Sequence, residues 1–159
     1  HTRLRTVTGV QTCALPILGM KEPAYQKLTY DLTLHFAQTL CRIQPGMTFC
    51  YISGAGTDST EKGRIMWARV KGRTENALLQ LPFTKAYNFR PALLSPTPGL
   101  KNTLTFYHYL TWLLPIVQRL APNTLSSLQE LGQAMISVLF TIDHKSTLEV
   151  SDIHRLSRA

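Results

Sequence analysis

The segment that most constrains the fold is an apolar strand-like run that stops at a glycine-rich turn. Residues 47–52 read Met-Thr-Phe-Cys-Tyr-Ile, and Ser-Gly-Ala-Gly follows at residues 53–56. The β-branched and aromatic content of the run predicts a buried strand. We predict a helix next, because Asp58 and Glu61 have the spacing of a capping box. Its apolar face is expected at Met66, Val70, Ala77 and Leu81, and a second strand is expected over residues 86–90.

The segment before this strand predicts a helix that packs on it. Lys21-Glu22-Pro23 opens that helix, since proline fits the first turn, and Gln44-Pro45-Gly46 ends it. Spacings of four and three predict its buried stripe at Leu28, Leu32, Phe36, Leu40 and Ile43. A helix followed by an apolar strand is half of a βαβ unit, so the sequence predicts an α/β fold with a parallel sheet.

A further pattern in this segment is a hydroxyl, an aromatic-x-x-x-Lys and an Arg-Pro in that order. Ser53 ends the first strand, Trp67 and Lys71 lie four apart on the helix, and Arg90-Pro91 ends the second strand. With Trp67–Glu75 and Phe89–Leu94, this order resembles the C-terminal half of atypical, epimerase-like short-chain dehydrogenases/reductases. The resemblance covers about residues 20–156 and implies the C-terminal part of a Rossmann-like, doubly wound parallel sheet.

The resemblance implies roles for individual residues. Ser53 and Lys71 take the positions of the catalytic serine and lysine, and Lys71 would also hold the nicotinamide ribose of NAD or NADP. Arg90, Pro91, Ala92 and Leu93 would lie along the nicotinamide, although Ala92 stands where the family usually has glycine. The alternatives are a turn serine, a solvated helix lysine and a structural strand-end turn.

Trp67 stands where the family has its catalytic tyrosine. A tyrosine can exchange a proton with a carbonyl, whereas an indole N–H donates a hydrogen bond without titrating. Tyr51 and Tyr87 are other proton donors near these strands. Three functions therefore stay open: an NAD(P)-dependent oxidoreductase or epimerase acting on a small molecule, a catalytically silent NAD(P)-binding sensor or scaffold, and a basic nucleic-acid binder.

The first seventeen residues resemble a translated sequencing-library adapter, and we exclude them from the fold prediction. Without Arg3 and Arg5 the seventeen basic residues become fifteen against nine acidic ones, which lowers the net charge from +8 to +6. The remaining positive charges are scattered, which disfavours nucleic acid as a partner. Residues 18–159 contain no Gly-x-Gly-x-x-Gly turn. We therefore expect this part to come from a longer protein, to expose an unpaired sheet edge, and to bind NAD(P) weakly by itself.

The remaining features concern thiols, histidines and the C-terminal third. Cys41 and Cys50 lack metal-ligand spacing and are expected to be buried free thiols in a cytoplasmic protein. We expect no metal site at the histidines of residues 18–159, which are His35, His108, His144 and His154. The aromatic-rich residues 100–121 predict a helix that covers the substrate side or lies at a membrane surface. Their apolar stretch is too short for a helix that crosses a membrane. An amphipathic helix capped by Asn123 or Thr124, a strand over 147–150 and a terminal helix should follow, with the amphipathic face at Leu125, Leu128, Leu131, Met135, Val138 and Leu139.

Overall fold

The computed structural model describes residues 8–11, 19–95, 125–141 and 145–159. These residues form an α/β structure with a small parallel sheet, in agreement with the predicted class. The chain divides into two compact units, residues 1–90 with 143–147, and residues 91–142 with 148–159. Residues 100–121, with His108, and residues 142–144, with His144, lie outside the described residues.

The first unit is built on the parallel strands β1 (Thr8–Gln11), β2 (Thr48–Ile52) and β3 (Lys85–Arg90). Strand β2 lies between the other two, with Phe49 paired to Thr8 on one side and to Ala86 on the other. The strand order of the sheet is β1-β2-β3-β6. Strand β6 is Thr147–Glu149, and its first residue belongs to this unit.

Strand β1 pairs with the side of β2 at which an unpaired sheet edge was expected. It lies within the seventeen residues that the sequence analysis excluded. The βαβ unit that was expected to lack its first strand is therefore complete among the described residues. The adapter-like origin of these residues remains a prediction.

One continuous helical segment lies between β1 and β2 in the described part of the chain. It consists of α1 (Glu22–Gln26), a π-helical turn (Lys27–Asp31) and α2 (Leu32–Ile43), so the predicted start at Glu22-Pro23 and the end before Gln44 are confirmed.

The predicted buried stripe of this segment is wrong. Leu28, Leu32, Phe36 and Ile43 are exposed, and Leu40 is half-buried. The buried positions lie one residue later in the same repeat of four, at Tyr25, Thr29, Thr33, Ala37 and Cys41. Ala37 packs with Phe49 and Tyr51 of β2 and with Leu78 of α3 (Met66–Leu79). A small residue at the contact lets the helix approach the sheet closely. The face with Ala37 is therefore buried because it fits against the strand, although the face with the leucines is more hydrophobic.

Helix α3 begins later than predicted. Asp58 and Glu61 do not cap it, because α3 starts at Met66, and Leu81 lies beyond its end. The Asp58 carboxylate instead accepts hydrogen bonds from Thr60 N, Thr60 Oγ1 and Gly63 N, at 3.0, 2.6 and 2.6 Å. These bonds close a turn in which Glu61 has a φ of 61°. The polar side chains therefore stabilise a loop, as Asp and Thr often do, and not a helix start.

The second unit contains β4 (Leu93–Ser95) and β5 (Leu125–Ser127), which pair in parallel, and two helices, α4 (Leu128–Phe140) and α5 (Val150–Leu156). The predicted cap at Asn123 or Thr124 is wrong, since Ser127 caps α4 in a capping box with Glu130. Leu125 belongs to β5, and the buried face of α4 is Leu131, Ala134 and Val138. The strand predicted over 147–150 is confirmed over residues 147–149, whereas Val150 already belongs to the terminal helix, which is confirmed too.

Candidate functional site at the carboxyl edge of the sheet

Ser53 lies directly after β2, at the carboxyl end of the strand, and is only 4% exposed. Its backbone N–H donates to the carbonyl of Phe89 at 2.9 Å, which fixes the end of β2 beside β3. Its hydroxyl donates to the carboxylate of Glu75 and lies 3.2 Å from the Phe89 carbonyl oxygen. The single hydroxyl proton is therefore directed at protein groups.

Lys71 lies on the face of α3 that packs against the sheet. The residue is 6% exposed, and its Nζ donates to the backbone carbonyl of Ser53. A lysine at this depth is unusual, because the ammonium must be removed from water and given acceptors. The alternative of a solvated helix lysine is therefore wrong, and the structure brings Lys71 and Ser53 together.

Arg90 ends β3 beside Ser53 and forms a buried ion pair with Glu75 of α3. Arg90 Nε lies 3.0 Å from Glu75 Oε1, and Arg90 Nη2 donates to Glu75 Oε2. Glu75 is 1% exposed and Arg90 9% exposed. Two parallel N–H···O bonds make this a bidentate pair, the geometry that suits a guanidinium best. Ser53, Lys71, Glu75 and Arg90 together are called the carboxyl-edge cluster below.

Glu75 is the member of the cluster that the sequence analysis missed as a site residue. It follows Lys71 by four positions and Trp67 by eight, so the three share one face of α3. A glutamate that shares a buried helix face with a lysine requires a cation or several N–H donors nearby. That requirement, together with Arg90 at the end of the next strand, could have pointed to the pair.

Trp67 stands in the first turn of α3 against the loop that follows β2. Its indole Cη2 lies 3.5 Å from the position that a Cβ on Gly56 would occupy, and the tryptophan is half-buried. Gly54 and Gly56 have φ values of 138° and 82°, which glycine adopts readily and other residues rarely do. The ring therefore lies along a turn that the glycines make possible.

The loop over residues 54–65 is bound to α3 at several points. A Cβ on Gly72 would lie 1.8 Å from the carbonyl oxygen of Asp58, whose N–H donates to the Ala68 carbonyl at 3.1 Å. Asn76 Nδ2 donates to Ser59 O and Glu61 Oε1 at 3.0 and 2.7 Å. Arg90 Nη2 also donates to Ser59 Oγ at 2.5 Å, which connects the loop to the cluster.

The other predicted residues are not members of the carboxyl-edge cluster. Pro91 and Ala92 form the link from β3 to β4 in the second unit, where β4 begins at the 37%-exposed Leu93. Tyr51 and Tyr87 are buried in the sheet, and their pairing with Asn88 and Cys50 directs them to opposite faces.

Outside the cluster, the described residues include a group of neighbouring polar side chains at His154, and its geometry does not suit catalysis. His154 Nε2 lies 3.4 Å from Ser126 Oγ and 4.0 Å from Glu130 Oε2. Because one ring nitrogen faces both groups, the imidazole cannot relay a proton as in a catalytic triad, where the carboxylate binds the other nitrogen. Hydrogen bonds from Ser127 hold the pKa of Glu130 below its usual value. No group of three His, Cys, Asp or Glu side chains in the described ranges could hold a metal ion.

The predicted state of the cysteines is confirmed for Cys41 and Cys50, which are free and buried. Burial raises the pKa of the Cys50 thiol to about 12. This thiol is therefore not a nucleophile near neutral pH.

No protein-family model matches this chain, and no curated protein matches it either. Within the described ranges, no helix is long and apolar enough to cross a membrane.

Proposed function

We propose that this chain supplies the nicotinamide side of an NAD(P)-binding site in a protein of the epimerase-like short-chain dehydrogenase/reductase type, with a Rossmann-like sheet. The observation that carries the proposal is the contact of Lys71 Nζ with Ser53 O beside Arg90 and Glu75. Ligands of open α/β sheets bind at the carboxyl ends of the parallel strands, which is where this cluster lies.

In this proposal, Lys71 contributes the positive charge and hydrogen-bond donor that would face the ribose hydroxyls. Arg90 fixes the end of β3 through its ion pair with Glu75. NAD(P) would supply the hydride chemistry when bound. The chain's own residues hold and orient it, and a small carbonyl or hydroxyl compound is the proposed substrate.

The test is a titration of NADH and NADPH into the product of the intact gene, followed by fluorescence or calorimetry. We expect binding to the wild type and a loss of affinity of about tenfold or more in Lys71→Met. Lys27→Met is the matched control, because Lys27 is an exposed lysine on the π-helical turn. Equal affinities in both variants, or the absence of binding to the wild type, would contradict the proposal.

The second candidate is a catalytically silent sensor or scaffold protein that binds the same cofactor. Trp67 favours it, because an indole cannot donate the proton that carbonyl reduction needs. Carbonyl reduction with NADPH should be measured for the wild type and for Trp67→Tyr. A gain of activity in the variant supports loss of a catalytic tyrosine, whereas activity in the wild type itself would rule out the silent protein.

A further inference from the structure

The carboxylate of Glu75 collects the hydrogen bonds that connect the two strand ends. Oε1 accepts from the Ser53 hydroxyl and from Arg90 Nε, and Oε2 accepts from Arg90 Nη2. At 1% exposure the carboxylate has almost no access to water. A carboxylate buried in this way costs several kcal/mol in desolvation unless such donors compensate it.

Within the cluster, Ser53 lies between Glu75 and Lys71. Glu75 binds the hydroxyl of Ser53 and the guanidinium of Arg90, whereas Lys71 donates to the backbone carbonyl of Ser53. Lys71 and Glu75 are separated by one helical turn, so both are anchored to the same strand end from the same element. Movement of Ser53 would therefore displace the acceptor of the Lys71 ammonium.

We infer that Glu75 is a positioning residue of the proposed NAD(P) site: its carboxylate fixes Ser53 and Arg90, and through Ser53 it sets the place of the Lys71 ammonium. This inference rests on the proposed function. Glu75 is too deeply buried to contact the cofactor itself, since the residue is 1% exposed beneath Ser53 and Arg90, which its carboxylate binds. Its effect on the cofactor is therefore indirect, and the part that acts through Ser53 must disappear when Lys71 is absent.

The experiment is a double-mutant cycle for cofactor affinity in the product of the intact gene. Glu75→Gln keeps the size of the side chain and removes its charge, and Lys71→Met removes the group on which Glu75 is inferred to act. We expect Glu75→Gln to weaken NAD(P)H binding about tenfold in the wild-type background, and clearly less in the Lys71→Met background, where only the route through Arg90 remains. Glu22→Gln is the matched control, since Glu22 makes an exposed pair with Arg69 at 2.7 Å, and it should leave the affinity unchanged.

A purely structural role would give a different pattern. It would lower the unfolding midpoint of Glu75→Gln while leaving the affinity of the folded protein unchanged, and that result would overturn the inference. Equal losses in both backgrounds would overturn it as well. If Glu75→Gln fails to fold, Ser53→Ala replaces it in the same cycle, with the same expected dependence on Lys71. Failure of the wild type to bind NAD(P)H would refute the proposed function and this inference together, whereas the patterns above refute the inference alone.

Discussion

At the scale of single residues, the most informative feature is the burial of three charged side chains at one end of the sheet. Lys71, Glu75 and Arg90 are each less than 10% exposed, and each has a partner within the cluster. Apolar residues of similar size would usually give at least equal stability at such positions. Burying these charges costs desolvation free energy, so stability alone does not account for them. A fixed geometry of the charged groups does account for them, which is why the cluster is the candidate site.

Cys50 provides a residue-scale prediction of pH dependence. Burial raises its pKa from 9.0 to about 12, so the folded protein keeps the thiol protonated where the unfolded chain has lost the proton. The contribution of this group to stability is complete below pH 9 and is lost as the pH rises from about 9 to 12. Urea unfolding of the wild type at pH 7, 9 and 10 should show a decreasing free energy of unfolding.

The matched control is Cys50→Ser, whose hydroxyl does not titrate in this range. Its free energy of unfolding should fall less than that of the wild type between pH 9 and 10. Reaction of Cys50 with a thiol reagent at pH 8, in a Cys13→Ser, Cys41→Ser background, should require unfolding in urea. Rapid reaction of the folded protein would contradict the raised pKa.

At the scale of elements, the contact between α3 and the 54–65 loop depends on Gly72. A methyl group at this position would meet the Asp58 carbonyl oxygen at 1.8 Å and its carbonyl carbon at 2.5 Å. Because both are backbone atoms, the loop itself would have to move. We expect Gly72→Ala to lower the free energy of unfolding by about 1 to 3 kcal/mol, measured by urea denaturation.

Gly132 on α4 gives the matched control for that substitution. A Cβ there meets no atom within 4 Å, so Gly132→Ala should be neutral or should stabilise the protein by up to about 1 kcal/mol through helix propensity. If the two alanine variants were equally stable, the close contact between α3 and the loop would be wrong.

The burial of α2 leads to a second element-scale prediction. Leu32 is 58% exposed and Ala37 is fully buried. Leu32→Gln should change the free energy of unfolding by less than about 0.5 kcal/mol, whereas Ala37→Leu should lower it by about 1 to 3 kcal/mol through overpacking. Thermal or urea unfolding of both variants checks this. A large loss in Leu32→Gln would favour the face that the apolar pattern predicts.

These elements show how far the sequence could predict the fold. The strand over 47–52 and the ends of the first helix were predictable, because an apolar run and a proline-glycine pair act locally. The buried face of the first helical segment was not predictable from spacing. The predicted face (residues 28, 32 and 36) and the observed face (residues 29, 33 and 37) have the same spacing of four. The choice between them depends on how closely the helix approaches Phe49 and Tyr51.

The candidate site divides in the same way. Ser53, Lys71 and Arg90 were singled out by the resemblance of their order to a known family, and the structure places them in one cluster. The start of α3 was not predictable, because Asp58 and Glu61 have the spacing of a cap while Asp58 bonds within the loop. Glu75 was missed because its partner, fifteen residues away, is a neighbour only through the fold.

At the scale of the whole molecule, the chain combines a candidate nicotinamide end with a sequence that has no glycine-rich phosphate-binding turn in residues 18–159. In dinucleotide-binding folds that turn and the helix after it hold the pyrophosphate. We therefore expect the 159-residue chain to bind NADH or NADPH with a dissociation constant on the order of 1 mM or weaker.

This prediction is checked by titrating both cofactors into the purified 159-residue chain, as wild type and as Lys71→Met, under the same conditions. Lys71→Met should leave the weak binding of the 159-residue chain nearly unchanged, because an isolated ribose contact has little affinity to lose. In a protein that also holds the cofactor phosphates the same substitution should matter, because the bound phosphates would hold the ribose beside Lys71 and make that contact intramolecular. Tight, stoichiometric binding by the 159-residue chain would mean that the phosphates are held by residues other than a glycine-rich turn.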